Sequence, residues 1–374
     1  MINQEHLVQQ FIELVQIDSE TGFERGIADE LKKRFTNLGL EVIEDNSIQQ
    51  TGHGAGNLVA TLQATEGYEN VPTIYFTSHM DTVTPGNSIK PKIEDGYVIS
   101  DGTTILGSDD KAGIAAMLEA ILVLKEQGIG HGKVQFLITV GEESGLKGSK
   151  NLQKDLLAAE YGFALDSNGP VGNVIIAAPT QARIKAVVHG KAAHAGVNPE
   201  DGISAIQVAS YAISKMPLGR ISDDTTANIG RFQGGGPTNV VCDHVEILAE
   251  ARSLEDEKLQ QQIEKMHQAF QLAAEHFSTT VDFQADVMYP AFRFEEEHEL
   301  VQLTMKAIQE IGREHQLLAS GGGSDANVIN GYGIPTVNLG VGYEKIHTTS
   351  ERMPIAELVK ATELIIALIN QSKK

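Results

Sequence analysis

Ile74-Tyr75-Phe76-Thr77-Ser78-His79-Met80-Asp81 is an apolar run that ends on a histidine and an aspartate. The pattern recurs down the chain: 134–140 runs into Gly141-Glu142-Glu143, 161–165 into Asp166, and 337–341 into Gly-Tyr-Glu-Lys-Ile-His347. Short apolar runs of this kind read as strands buried on both faces. Another such run, 57–62, precedes them, and helical spacing marks 5–16, 25–38, 111–126 and 297–313. The alternation predicts an α/β fold in which helices cover a mostly parallel sheet. Open sheets of this class bind ligands outside the carboxyl ends of their strands, so the four strand-end clusters are expected to share one crevice. Asp109-Asp110, in the turn LGSDDKAG before a helix, is placed to join them.

Residues 181–289 follow another rhythm: alternating runs at 183–188, 225–232 and 244–251 and an extended run at 279–286, with helical stretches at 202–215 and 254–276. The order βαββαβ predicts a ferredoxin-like α+β domain with one solvated sheet face, inserted into the larger domain formed by 1–180 and 290–374. Ser253 and Asp256 have the spacing of a capping box for the long helix. No internal repeat or low-complexity tract is present, so short hinges are expected near 180 and 290.

The 374 residues carry a net charge of −21, which makes nucleic acid an unsuitable partner. The lone cysteine, Cys242, excludes internal disulfides, CxxC sites and thiolate metal centres, so any metal must use histidine and carboxylate. The first residues lack a signal-peptide pattern, and no run reaches the ~18 apolar residues of a membrane span. A soluble, cytoplasmic protein is expected. Gly234-Gly235-Gly236 and Gly321-Gly322-Gly323-Ser324-Asp325 continue into neither a phosphate-binding nor a dinucleotide-binding motif. Glycine there is better suited to letting backbone approach a bound peptide.

A single histidine is ordinarily a surface or hydrogen-bonded residue, and paired glutamates are ordinarily solvated. Joint placement at strand ends gives them another meaning. Two histidines and several carboxylates without cysteine make a donor set for zinc, cobalt or manganese with open coordination positions. Two divalent cations ~3.5–4 Å apart need a bridging carboxylate plus one histidine and one carboxylate each. One further carboxylate must then act as general base and acid. Successive side chains at a strand end point different ways, so adjacent glutamates can divide these tasks, and Asp81 can orient the His79 imidazole.

SHMDTV at 78–83, GSDDKAG at 107–113, GEES at 141–144, LDS at 165–167, GKAAHAG at 190–196 and IHTTSE at 346–351 resemble, in order and spacing, the M20 co-catalytic metallopeptidases. HMDT and DDKAG make the tripeptidase T branch the most similar. The resemblance spans nearly the whole chain. It implies two divalent metal ions, zinc in the first place with cobalt or manganese as alternatives, bridged by Asp109. His79 and Asp166 would complete one metal site, and Glu143 and His347 the other. Glu142 would be the general base and Asp81 the partner of His79, and a cis peptide bond would follow Asp109. His194 would face the scissile carbonyl, in many relatives from the partner subunit of a homodimer formed through the inserted domain. Asn239 and Arg252 match positions that contact substrate polar groups, and the loop with Gly322, Gly323 and Ser324 would line the substrate. Many tripeptidase T members carry arginine before the Gly-Gly pair where this chain has Gly321, which leaves peptide length and terminus preference open.

The reading that follows is an aminopeptidase releasing the N-terminal residue of tripeptides, through a water activated by the metals and a glutamate base. A carboxypeptidase or N-acyl amino acid amidohydrolase of the same architecture is the nearest alternative. A non-catalytic peptide-binding homologue would require a missing ligand or base, and all seven positions are filled.

Overall fold

Val134–Thr139, Ile74–His79, Tyr161–Ser167 and Thr336–Gly340 lie side by side, all parallel, in a computed structural model that describes residues 2–373. Every residue of Ile74–His79, Val134–Thr139 and Thr336–Gly340 is buried, as expected for strands covered on both faces. The Phe76 ring stacks between those of Phe136, 5.9 Å away, and Phe163, 5.3 Å away, so three neighbouring strands share one aromatic row. Outer strands run antiparallel: Leu58–Leu62 on Val134–Thr139, Glu41–Glu44 beyond it, and Asn173–Ala178 on Thr336–Gly340. The fold is thus the helix-covered, mostly parallel α/β sheet that the sequence predicts.

Helix Ser108–Glu126 contains AGIAAMLEAILVL and is apolar nearly all round, which suits it only to an interior position. It packs between the strands Ile74–His79 and Tyr161–Ser167 and the helices Gln4–Val15 and Ile355–Gln371. A small antiparallel sheet of Lys92–Glu94, Tyr97–Ile99 and Arg352–Pro354 was not anticipated, because three-residue strands show no period. Its hairpin turns at Asp95-Gly96, with φ of 48° and 82°, the positive pair that a two-residue turn demands.

The chain divides into two units, Met1–Ile176 with Phe294–Ala319 and Ser324–Lys374, and Ala177–Arg293 with Ser320–Gly323. Taken by itself, the second has the antiparallel order Gly219–Ser222, Thr225–Gly234, His244–Ser253, Thr180–His189, Val281–Tyr289. The short Gly219–Ser222 strand is an addition to the βαββαβ pattern. Ala182, Ile184, Ala186 and Val188 alternate inward onto a core with Met266 and Phe270 of the helix Asp256–His276. The capping box expected at Ser253 is absent. Ser253 ends a strand, its hydroxyl pairs with that of Thr225 at 2.9 Å, and Glu255 is the helix cap without a side-chain bond.

Truncating the central ring of the aromatic row, Phe76→Ala, is expected to cost about 3–5 kcal/mol, read as a lower urea midpoint in the unfolding of the whole chain.

Candidate functional site

Each parallel strand hands one polar cluster to the same edge of the first unit. His79 is the last residue of its strand, and Glu142 and Glu143 follow the turn at Gly141. Asp166 is the penultimate residue of Tyr161–Ser167. Asp109 and Asp110 interrupt the start of the helix Ser108–Glu126 with non-helical backbone and are joined by a cis peptide bond, as the resemblance implied. His347 sits at φ 60° in the loop after Thr336–Gly340.

These residues meet. Donor atoms of His79, Asp109 and Asp166 lie within 4.8 Å of one another, as do those of Asp109, Glu143 and His347, and those of His79, Glu142 and Glu143. Asp109 belongs to two of the groups through different oxygens. Its Oδ1 is 3.1 Å from His79 Nε2 and its Oδ2 is 3.3 Å from His347 Nε2. Asp166 Oδ1 lies 3.9 Å from His79 Nε2, and Glu143 Oε1 lies 2.8 Å from His347 Nε2.

A layer of further residues fixes this arrangement. His79 Nδ1 contacts the backbone carbonyl of Asp81 at 3.0 Å, nearer than the Asp81 carboxylate at 3.5 Å that the sequence reading favoured. That carboxylate instead accepts from Thr21 Oγ1 at 2.6 Å and from the backbone N–H groups of Glu142 and Glu143 at 3.0 and 3.3 Å. Asp81 therefore anchors the glutamate turn. On the other side of the turn, buried His53 pairs with Glu24 at 2.9 Å, and its ring occupies the space that a side chain at Gly141 would need. Tyr343 donates to Asp166 Oδ1 at 3.3 Å, buried Lys111 donates to Ser19 Oγ at 2.7 Å, and Asp325 accepts from Thr139 Oγ1 at 2.5 Å. Sequence reasoning missed Tyr343, Lys111, Asp325, Glu24 and His53. Lys111 and Asp325 stood inside motifs already quoted, and being charged residues next to apolar runs was their only signal.

Burial and crowding move the ionisation of these groups apart. Desolvation, with neighbouring acids adding to it, raises the carboxyls of Glu142 and Asp166 well above the ordinary carboxylate range. Asp109 is equally buried, but hydrogen bonds from His347 and His79 overcome desolvation and hold it low. His79 is depressed by burial and raised more strongly by Asp109 and Asp81, leaving it well above an ordinary histidine. His347, bonded to Asp109 and Glu143, is raised to about 10. In the cation-free chain the basic groups set against these acids are His79, His347 and Lys111. This donor set, all oxygen and imidazole nitrogen with a carboxylate shared between its halves, fits a pair of divalent cations.

The remaining expected residues stand differently. Ser324 is buried, and its hydroxyl caps the helix Asp325–Gly331 while accepting from Asn338 Nδ2 at 3.1 Å. Gly322, Gly323, His194, Asn239 and Arg252 belong to the second unit. There His194 is exposed and its Nδ1 accepts from Gly196 N at 3.2 Å, and exposed Asn239 receives Ala195 N on its carbonyl at 2.9 Å. The Arg252 fork is engaged by Glu250, at 3.0 and 3.1 Å, and its third nitrogen reaches the Gly321 carbonyl at 3.3 Å.

Among known proteins, the model of peptidase family M20/M25/M40 matches residues 75–371. An aminopeptidase PepT from Bacillus cereus ATCC 10987 is 59% identical, with a TM-score of 0.94 and full coverage of both chains. A tripeptidase from Staphylococcus aureus subsp. aureus Mu50 is 48% identical, with a TM-score of 0.96 over 100% of this chain and 99% of that one. The protein YqjE of Bacillus subtilis (strain 168) is 59% identical over 374 residues, the whole of each chain. Among the described residues no helix is long and apolar enough to cross a membrane.

The ion pairs of His347 set a pH dependence for the metal-free protein. Its folded value of about 10 lies above the ordinary 6.5, so the pairing supports the fold fully below about 6.5 and is lost as pH rises through about 10. In a proton–nitrogen NMR titration the imidazole is expected to stay charged at neutral pH; titration at the ordinary value would contradict the pairing with Asp109 and Glu143.

Proposed function

The chain belongs to peptidase family M20/M25/M40, and on that premise we propose that it is a dinuclear metal-dependent aminopeptidase that releases the N-terminal residue of tripeptides. The observation carrying the reading is Asp109, whose two oxygens face two different histidines. In this reading Asp109 would bridge the metals, His79 and Asp166 would hold one, and Glu143 and His347 the other. Two divalent cations, zinc, cobalt or manganese, supply when bound an acidified water and polarisation of the scissile carbonyl. Every other step falls to the chain's own residues.

Glu142 is the general base. It takes a proton from the attacking water and returns it to the departing amine; in the cation-free chain, burial and then its neighbours Asp166, Asp325 and Glu143 raise its affinity for a proton. Asp81 holds the backbone of Glu142, so the base keeps its place when its charge changes. The substrate roles of His194, Asn239, Gly322, Gly323 and Ser324, and a homodimer through the inserted domain, remain part of this proposal by resemblance. Arg252, paired with Glu250, can receive a substrate carboxylate only by exchanging partners. That favours the aminopeptidase reading over a carboxypeptidase one.

Removing metal with a chelator is expected to abolish hydrolysis of Leu-Gly-Gly, and zinc, cobalt or manganese to restore it, with leucine as the first product. Release of glycine first, or turnover of N-acetyl amino acids in preference to the tripeptide, would establish the alternative specificities. Glu142→Ala is expected to lower kcat about 10²–10⁴-fold, the usual range for a lost general base, with metal content unchanged. Undiminished turnover would remove Glu142 from the mechanism.

A further inference from the structure

Glu351 is a buried carboxylate, 2% exposed, that no step above has used. Four donors converge on it. Oε2 accepts the backbone N–H groups of Leu106 at 2.7 Å and Gly107 at 2.9 Å, and Oε1 accepts Ser108 Oγ at 2.6 Å and the Asp109 N–H at 3.1 Å. All four belong to the turn that delivers Asp109. They are not the first amides of the regular helix, because the backbone of Asp109 and Asp110 is non-helical, so this is a different contact from an ordinary helix cap.

The carboxylate comes from the loop that carries His347. That loop is closed at its base by Glu344 and Arg352, which exchange backbone hydrogen bonds of 2.9 and 3.0 Å, and the Arg352 side chain also pairs with Glu344. Arg352–Pro354 then continues as a strand on Tyr97–Ile99. Glu351 therefore sits one residue from a fixed strand and four from His347, with its side chain gripping the residue that faces both histidines.

We propose that Glu351 is a positioning residue for the metal centre: by tying the Asp109 turn to the His347 loop, it sets the separation of two ligands before any metal binds. The inference rests on the dinuclear reading above. The four hydrogen bonds made in the folded chain replace ordering that a metal would otherwise have to impose, and groups that orient ligands in this way typically govern metal affinity by 10–100-fold. Because Asp109 is shared, both metals should feel the loss of Glu351, whereas a group that touches one ligand, such as Tyr343 on Asp166, should affect one.

Glu351→Gln keeps the shape but turns an acceptor oxygen into an NH₂ group that faces one pair of donors. Cobalt(II) is the probe, since its visible absorption reports both stoichiometry and ligand geometry. Titrating the metal-free full-length chain against a competing chelator, we expect the wild type to take up two ions. Glu351→Gln is expected to bind both about 10–100-fold more weakly with an altered cobalt spectrum, and Glu351→Asp, which keeps the charge, to recover part of the affinity. A folded Glu351→Gln protein with the affinity and spectrum of the wild type would overturn the proposal, even with a lower melting temperature, because the carboxylate would then serve the fold alone. Wild-type protein that binds no cobalt would instead defeat the dinuclear reading. Hydrogen exchange on the wild type gives a test that needs no variant. The amides of Leu106, Gly107 and Asp109 are expected to be as protected without metal as with it, and protection that arises only on metal addition would overturn the proposal.

Discussion

Carboxylates crowded together away from water raise the free energy of any state that lacks opposing charge, and the first unit is organised around that constraint. Asp81, Asp109, Asp110, Glu142, Asp166, Asp325 and Glu351 all influence one another or the same partners, and His79, His347 and Lys111 are the basic groups set among them. Lys111 shows the balance. Full burial drives its pKa down to about 8, against the pull of Asp81, Glu351, Asp109 and Asp110. Some acids are satisfied locally, Asp81 and Glu351 by backbone amides, and these stay available as anchors. Others, Glu142 and Asp166 among them, are driven by burial toward the protonated form, and these two are among the groups proposed to act on metal and water.

The parallel sheet makes such crowding inexpensive in backbone terms. Four strands pointing the same way present four carboxyl ends at one edge, and the loops beyond them need only short reaches to converge. The aromatic row of Phe76, Phe136 and Phe163 holds three of those strands in contact from below. Rigidity at the strands and adaptability in the loops are thus divided between different residues.

The sequence made the strand ends legible because period, apolar content and a terminal polar cluster coincide in each. It made the inserted domain legible because alternation at residues such as Ala182, Ile184, Ala186 and Val188 is a period of two. What escaped depends on contacts without any period. Glu351 acts largely on backbone amides, the His53 ring lies against a glycine, and Asp81, expected as a partner of His79, also holds the backbone of the turn after a neighbouring strand, so these contacts are not marked by a side-chain type. Ser253 misled for a related reason: its spacing to Asp256 suits a cap, but the strand His244–Ser253 already claims it. The Asp95-Gly96 pair has turn chemistry, but the strands it joins are only three residues long and too short to show a period.

Thr336–Gly340 is an interior strand, seated between Tyr161–Ser167 and Asn173–Ala178, yet it is separated from both in sequence by the whole second unit. The interior of the sheet is therefore filled by a segment made late in the chain. Three of the four polar clusters, together with Asp109, are made early, and the last, with His347 and the Glu351 clamp, arrives only afterwards. Four of the five proposed ligands thus precede Thr336–Gly340 in the chain, and the strand that fills the interior of the sheet is also the one that leads into the fifth.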